Sequence, residues 1–205
     1  MINLKINYSV EDEVNRIMFV VEKINWYKEN GYKLWLPEYF SSENPDFKNP
    51  EYIKKTILKE YNEDDYKKQE KHIIDKLPII SAVLEKFFSE VSIKPLNEYG
   101  VNLTKYGTGG SYHSPDRLTI NIKACPESAL ARNIIHEIIH LAIQEWIVKY
   151  EVNHGTKERI VDLAFEKVAP ELNKIFRVPA DAESIDKVFE ENYPNIETVL
   201  EKLGK

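Results

Sequence analysis

The chain is poor in cysteine: Cys125 is the single one among 205 residues. No internal disulfide can form, and a lone thiol fits a reducing compartment. Long apolar runs are missing too. No stretch of 18 apolar residues occurs, which excludes a simple membrane-spanning helix. No charged segment followed by an apolar one opens the sequence, so the expectation is a cytoplasmic chain without membrane contact. Cations are not in excess, with 28 Lys and Arg against 34 Asp and Glu and a net charge of −6. Both signs are interspersed, so no basic patch argues for nucleic acid. The glycine cluster Gly107 to Gly110 lacks the Gly-Lys-Ser/Thr ending of a phosphate loop and reads as an ordinary hairpin turn. Linker-like and repetitive segments are absent. The length and the 42% hydrophobic content suit one domain with a real core.

What is present is concentrated in five residues, His136-Glu137-Ile138-Ile139-His140. On a helix, histidines four apart point from one face, one turn above the other. That spacing lets two imidazole nitrogens bind one zinc ion at about 2.0–2.1 Å. Glu137, beside the first histidine, can reach a water at such a metal and take its proton. Pro126 suits the first position of this helix. Leu130, Ile134, Ile138, Leu141, Trp146 and Ile147 recur at helical spacing, and Ile135, Ile139, Ala142 and Ile143 fill the positions between. A helix apolar on nearly every side is buried. Two histidines and a glutamate inside it need partners, since an unpaired buried polar group costs roughly 1–3 kcal/mol.

Catalytic zinc usually takes three protein ligands. Downstream, Asn153 to Thr156 is turn chemistry with Thr156 as a plausible N-cap, and Ile160, Val161, Leu163, Ala164 and Val168 suggest a second helix. Glu158 and Asp162 share a face of that helix, and His154 lies on the preceding loop. By position alone Glu158, His154 or Asp162 could complete the site. His-Glu-x-x-His followed by Glu-x-x-x-Asp resembles the gluzincins, a family of zinc metallopeptidases. The resemblance covers about residues 130–165. It implies His136, His140 and Glu158 as ligands, Glu137 as general base, and Asp162 as the group that orients a ligand histidine through its other ring nitrogen. It also places Tyr150 roughly where some members keep an oxyanion-stabilising tyrosine. Tyr112, His113 and His154 are the other nearby donors for that role. If the first helix runs on to Tyr150, Glu158 reaches the metal only where the link folds back.

The expected fold class is α+β: one mostly helical domain, residues 1–205, with a small antiparallel sheet ahead of the metal helix. Residues 1–95 are read as mainly helical and 96–205 as sheet, metal helix, ligand helix and C-terminal helices. Ile2 to Tyr8 alternates and reads as a strand; Val101–Lys105 and Leu118–Ile122 read as an antiparallel meander. Helices are expected over Val14 to Tyr27, from Pro50, and over Pro78 to Val91, with a charged helical stretch at 60–76 and two short helices in 181–204. Residues 31–50 read as an irregular loop. Some of the three Trp, twelve Tyr and eight Phe are expected to line a cleft, most of them to form core.

The functional expectation is a zinc-dependent peptidase acting on a peptide or protein substrate, with an edge of the sheet pairing to extended substrate as in zincin peptidases generally. The alternative is a non-catalytic module in which zinc staples two helices. A latent form is a third reading, with residues 178–205 lying over the cleft.

Overall fold

The alternating stretch at the start is strand β1 (Asn3–Asn7). It is the first of four strands in a computed structural model that describes residues 2–41, 44–172 and 182–205. The others are β2 (Glu98–Thr104), β3 (Gly110–His113) and β4 (Arg117–Asn121), in the order β1-β2-β4-β3. β1 with β2 and β2 with β4 run parallel, and only β3 with β4 is antiparallel. The expected antiparallel meander is therefore corrected to a mixed sheet. β2 and β4 are the buried central strands, so the chain leaving β2 must pass beyond β4 before returning as β3. The glycine cluster is that crossover and not the hairpin turn expected of it. Gly107 has φ +89°, a conformation that favours glycine, and it exchanges two backbone hydrogen bonds with Trp35. A Cβ there would lie 2.6 Å from the Arg16 guanidinium.

Among the described residues eight α-helices accompany the sheet: α1 (Val10–Glu22), α2 (Ile24–Glu29), α3 (Pro50–Ile57), α4 (Glu63–Glu90), α5 (Leu130–Lys149), α6 (His154–Val168), α7 (Ala182–Asn192) and α8 (Ile196–Leu203). The class is α+β. The single helix expected over Val14 to Tyr27 is two, parted at Lys23, and it starts earlier because the Ser9 side chain caps the Asp12 amide. The charged stretch and the Pro78 segment fuse into α4. Tyr66, Ile73, Ile80, Leu84 and Phe87 share its buried side, and that packing carries the helix through Pro78. Pro126 is not the first residue of the helix that carries the two histidines; it caps a short 3-10 turn, Glu127–Ala129, that leads into α5.

α5 runs through the centre of the molecule. Ile134, Ile135, Ile138 and Ile139 are wholly buried on successive sides of it. At about 1.5–3 kcal/mol each, their burial is worth on the order of 10 kcal/mol before chain entropy. α5 packs on α4, α6, α8 and strands β3 and β4, so its register is fixed from all sides. α7 packs on α6, and α8 packs on α5 and α7.

Candidate metal centre

The histidines of α5 turn their Nε2 atoms toward one point. These atoms lie 3.2 Å apart, and Oε2 of Glu158 lies 3.3 Å from His140 Nε2 and 3.5 Å from His136 Nε2. Among the described residues these three form a group that could hold a metal ion. Four tetrahedral ligands at about 2.0–2.1 Å from zinc stand about 3.3–3.4 Å from one another. The three separations bracket that edge length, so a metal could enter without moving the donors far. Two imidazoles and one carboxylate suit a borderline divalent ion and leave one tetrahedral position open.

Asp162 Oδ1 stands 3.4 Å from Nδ1 of His136, on the far side of the ring from Nε2. In that place it favours the tautomer with the proton on Nδ1, whose Nε2 lone pair can bind a metal. Tyr112 of β3 stacks on the His140 ring at 4.7 Å and 11°, which fixes that ring's plane. Burial pushes the Glu158 carboxyl up, but the His140 charge and hydrogen bonds from His136 and His140 outweigh it and hold the group far below the usual carboxylate range. A cation taking the place of those imidazole protons would keep the carboxylate ionised in the same way.

Glu158 reaches the histidines although α5 continues nine residues past His140. The reversal is a Schellman turn. Val152 N–H donates to Ile147 C=O and Glu151 N–H to Val148 C=O, with Glu151 at φ +50°. α6 then starts at His154, one turn earlier than expected, because the N-cap is Asn153, whose side chain accepts the Thr156 amide, and not Thr156 itself.

The group sits at the wall of a cavity of about 1150 Å³. Glu137 lines it and is close to β3: a Cβ on Gly110 would meet its Oε1 at 2.5 Å. β3 is the sheet edge and lines the cavity along its whole length, Gly110 to His113. Cys125 also lines it. Its Sγ contacts the Gly109 carbonyl at 3.2 Å and accepts from Asn133 Nδ2, and burial pushes the thiol up to about 11.

Other residues singled out from sequence lie elsewhere or play other parts. Tyr150 is not brought to the cavity; it caps the end of α5, and its hydroxyl donates to Glu197 of α8. His154 does line the cavity, but its Nε2 lies 2.5 Å from the Tyr32 hydroxyl and its Nδ1 is 3.7 Å from Glu158 Oε1, outside the three-donor group. The Tyr112 hydroxyl donates to Gln144 Oε1 at 2.8 Å and accepts from Lys157 Nζ at 3.0 Å. Residues 182–205 do not lie over the cleft as the latent reading expects; none of them lines it, and residues 178–181 of that segment are outside the described residues.

An aromatic stretch of the cavity wall was not legible in the sequence. Phe19, Trp26, Tyr27, Tyr32 and Trp35 form it, with Trp26 stacked on Tyr32 and edge-on to His154. The signal was an aromatic cluster in and after α2, inside a segment that reads as helix end and loop. No known family model, curated protein or solved structure matches the chain.

Proposed function

We propose that this protein is a zinc-dependent metallopeptidase of gluzincin type. The observation that supports the reading best is the three-donor group of His136, His140 and Glu158, at tetrahedral spacing on the wall of a large cavity that also holds Glu137. A closed structural site would need a fourth protein ligand and no cavity.

When bound there, zinc supplies Lewis acidity, polarising a scissile carbonyl and making a neighbouring water more acidic. The chain's own residues do the rest. His136 and His140 offer neutral nitrogens, with Asp162 holding the first in the tautomer with its proton on Nδ1. Glu158 supplies the negative charge. Glu137 takes the proton of the attacking water on its carboxylate and passes it to the leaving amine. β3, with its outer edge along the cavity, offers backbone groups to an extended peptide.

The test is metal content by elemental mass spectrometry, with peptide hydrolysis measured alongside, on wild type, His136→Ala, Glu158→Ala and Glu137→Gln. Zinc is expected at one per chain, lost in the two ligand variants and kept in Glu137→Gln, which hydrolyses no peptide. Undiminished turnover by zinc-loaded Glu137→Gln would sink the mechanism. Absence of bound metal in reconstituted wild type would remove its chemistry.

A further inference from the structure

Positive charge gathers where the large cavity adjoins a smaller one, with Lys23 and His113 on the wall of the first and Arg16, Arg117 and His113 on that of the second. The ring of Phe19 is its hub. Arg16 Cζ lies 5.7 Å and Lys23 Nζ 4.4 Å from that ring's centroid, and the His113 ring meets it edge-on at 5.6 Å and 79°. Arg117 is His113's partner in the β3–β4 ladder. Phe19 and His113 line both the large cavity and an adjoining one of about 280 Å³, whose wall includes Arg16 and Arg117.

These cations lack direct ion pairs, although Glu13 and Glu137 attract Arg16 through space. Arg16 is 7% exposed, its Nε makes a long bond to the Tyr106 carbonyl, and its Nη2 has no acceptor. No carboxylate lies within ion-pair distance of Arg16, Lys23 or Arg117 among the described residues. The nearest acids are engaged elsewhere or lie beyond ion-pair distance. Glu13 is buried against Tyr66, Thr104 and the Lys105 amide; Asp12, on the wall of the small cavity, accepts from the Ser9 hydroxyl; Glu22 and Glu137 line the large cavity. The field is felt at His113, whose imidazolium is disfavoured by burial and then by Arg16, Arg117 and Lys23. A buried guanidinium without a direct ion pair is costly. In a chain of net charge −6, its retention beside two exposed cations points to a ligand that brings the anion.

We infer that Arg16, Lys23, Arg117 and His113 form an anion subsite where the substrate cleft adjoins the smaller cavity, so that the peptides this protein takes carry a carboxylate there. The inference rests on the peptidase reading for the word substrate, but the subsite can be tested by binding alone. The last residue of β3, His113, belongs to it, so a peptide lying along that edge runs toward the cations.

The experiment measures fluorescence anisotropy with zinc-loaded Glu137→Gln protein and three labelled decapeptides. One carries internal glutamates and an amidated terminus. The second replaces them with glutamine. The third has the glutamine sequence with a free terminal carboxylate. The glutamate peptide is expected to bind about tenfold tighter than its glutamine counterpart at low salt, with the preference shrinking as ionic strength rises. Lys23 and Arg117 are exposed, so the Lys23→Glu, Arg117→Glu double variant spares the fold, and it is expected to abolish the preference. Tight binding of the third peptide instead of the first would keep the subsite and assign the carboxylate to the chain terminus. Equal binding of all three, no binding of any, or a preference that survives the double variant would overturn it. Wild-type zinc protein separates the two readings. Binding preference without hydrolysis leaves the subsite standing and the peptidase reading fallen; hydrolysis indifferent to acidic residues does the reverse.

Discussion

A methyl group on Gly110 tests the placement of Glu137 more sharply than removal of Glu137 itself. The Gly110 Cβ would stand 2.5 Å from Glu137 Oε1, 3.2 Å from Cδ and 3.4 Å from Cγ. Restoring an ordinary contact of about 3.5 Å requires the carboxylate to retreat by roughly 1 Å. Rotating the terminal bond does not suffice, because Cγ is also close. A misplacement of about 1 Å at a reacting group can cost about 100-fold in rate, or roughly 2.7 kcal/mol of barrier. Alanine suits the backbone here, since Gly110 is in a strand paired with Ile120 and has no positive φ. Gly110→Ala is therefore expected to fold and keep its zinc, since Glu137 is not a ligand, while kcat/KM on an internally quenched peptide falls about 100-fold. Gly109→Ala is the control, as its Cβ meets only Cys125 Sγ at 3.9 Å. Full zinc content with undiminished kcat/KM in Gly110→Ala would refute the role given to this carboxylate's position.

Asp162→Asn keeps size and loses charge beside His136 Nδ1, so zinc affinity in a competitive chelator titration is expected to fall about 10–100-fold; an unchanged affinity would deny Asp162 its orienting role. Burial lifts the Cys125 thiol from its ordinary 9.0 to about 11, so about 100-fold less thiolate is present at pH 8 and alkylation by iodoacetamide is expected to be slower than for a free thiol by about that factor. The raised value also means that this thiol's contribution to stability is complete below pH 9 and is lost as pH rises through about 11. Labelling at the free-thiol rate would show Cys125 to be open to solvent.

The α5 site was legible because it is local. Residues four apart on one helix share a face whatever the fold, and Glu158 and Asp162 share a face for the same reason. The apolar helix around His136 and His140 announced its own burial. Strands β1, β2 and β4 were legible from alternation, but β3 and the sheet order were not. Alternation places side chains on two faces and says nothing about which strand pairs with which, so β2 and β4 read as neighbours in a meander when they are parallel across a crossover. Tyr150 was misplaced for a similar reason. Distance along a chain does not fix the side of a helix end, and the Glu197 contact lies 47 residues away. The aromatic wall from Phe19 to Trp35 and the cations around Phe19 depend on how α1 and α2 lie against β3 and the Gly107 crossover, and periodicity does not encode that.

The position of Glu158 depends on one residue in an uncommon conformation. His140 lies nine residues before the end of α5, or about 13 Å down its axis, and Glu158 lies four residues into α6, or about 6 Å along it. A simple reversal would leave a gap of about 7 Å. The Schellman turn closes it, because Val152 N–H already binds Ile147 C=O, so the chain is back at the level of Ile147 before α6 begins. From there His140 is seven residues away, about 10 Å, and the two residues of link plus four of helix to Glu158 cover a similar distance. The turn needs Glu151 at φ +50°, where a side chain costs about 1–2 kcal/mol. Glycine removes that strain but has more backbone freedom to lose on folding, about 0.5–1 kcal/mol. Glu151→Gly is therefore expected to stabilise by about 0.5–1 kcal/mol and to raise Tm by about 1–4 °C, with zinc affinity unchanged. A lowered Tm would mean that the Glu151 side chain stabilises the turn by a contact stronger than the strain. A lowered zinc affinity at raised Tm would mean that the turn does not set the height of Glu158.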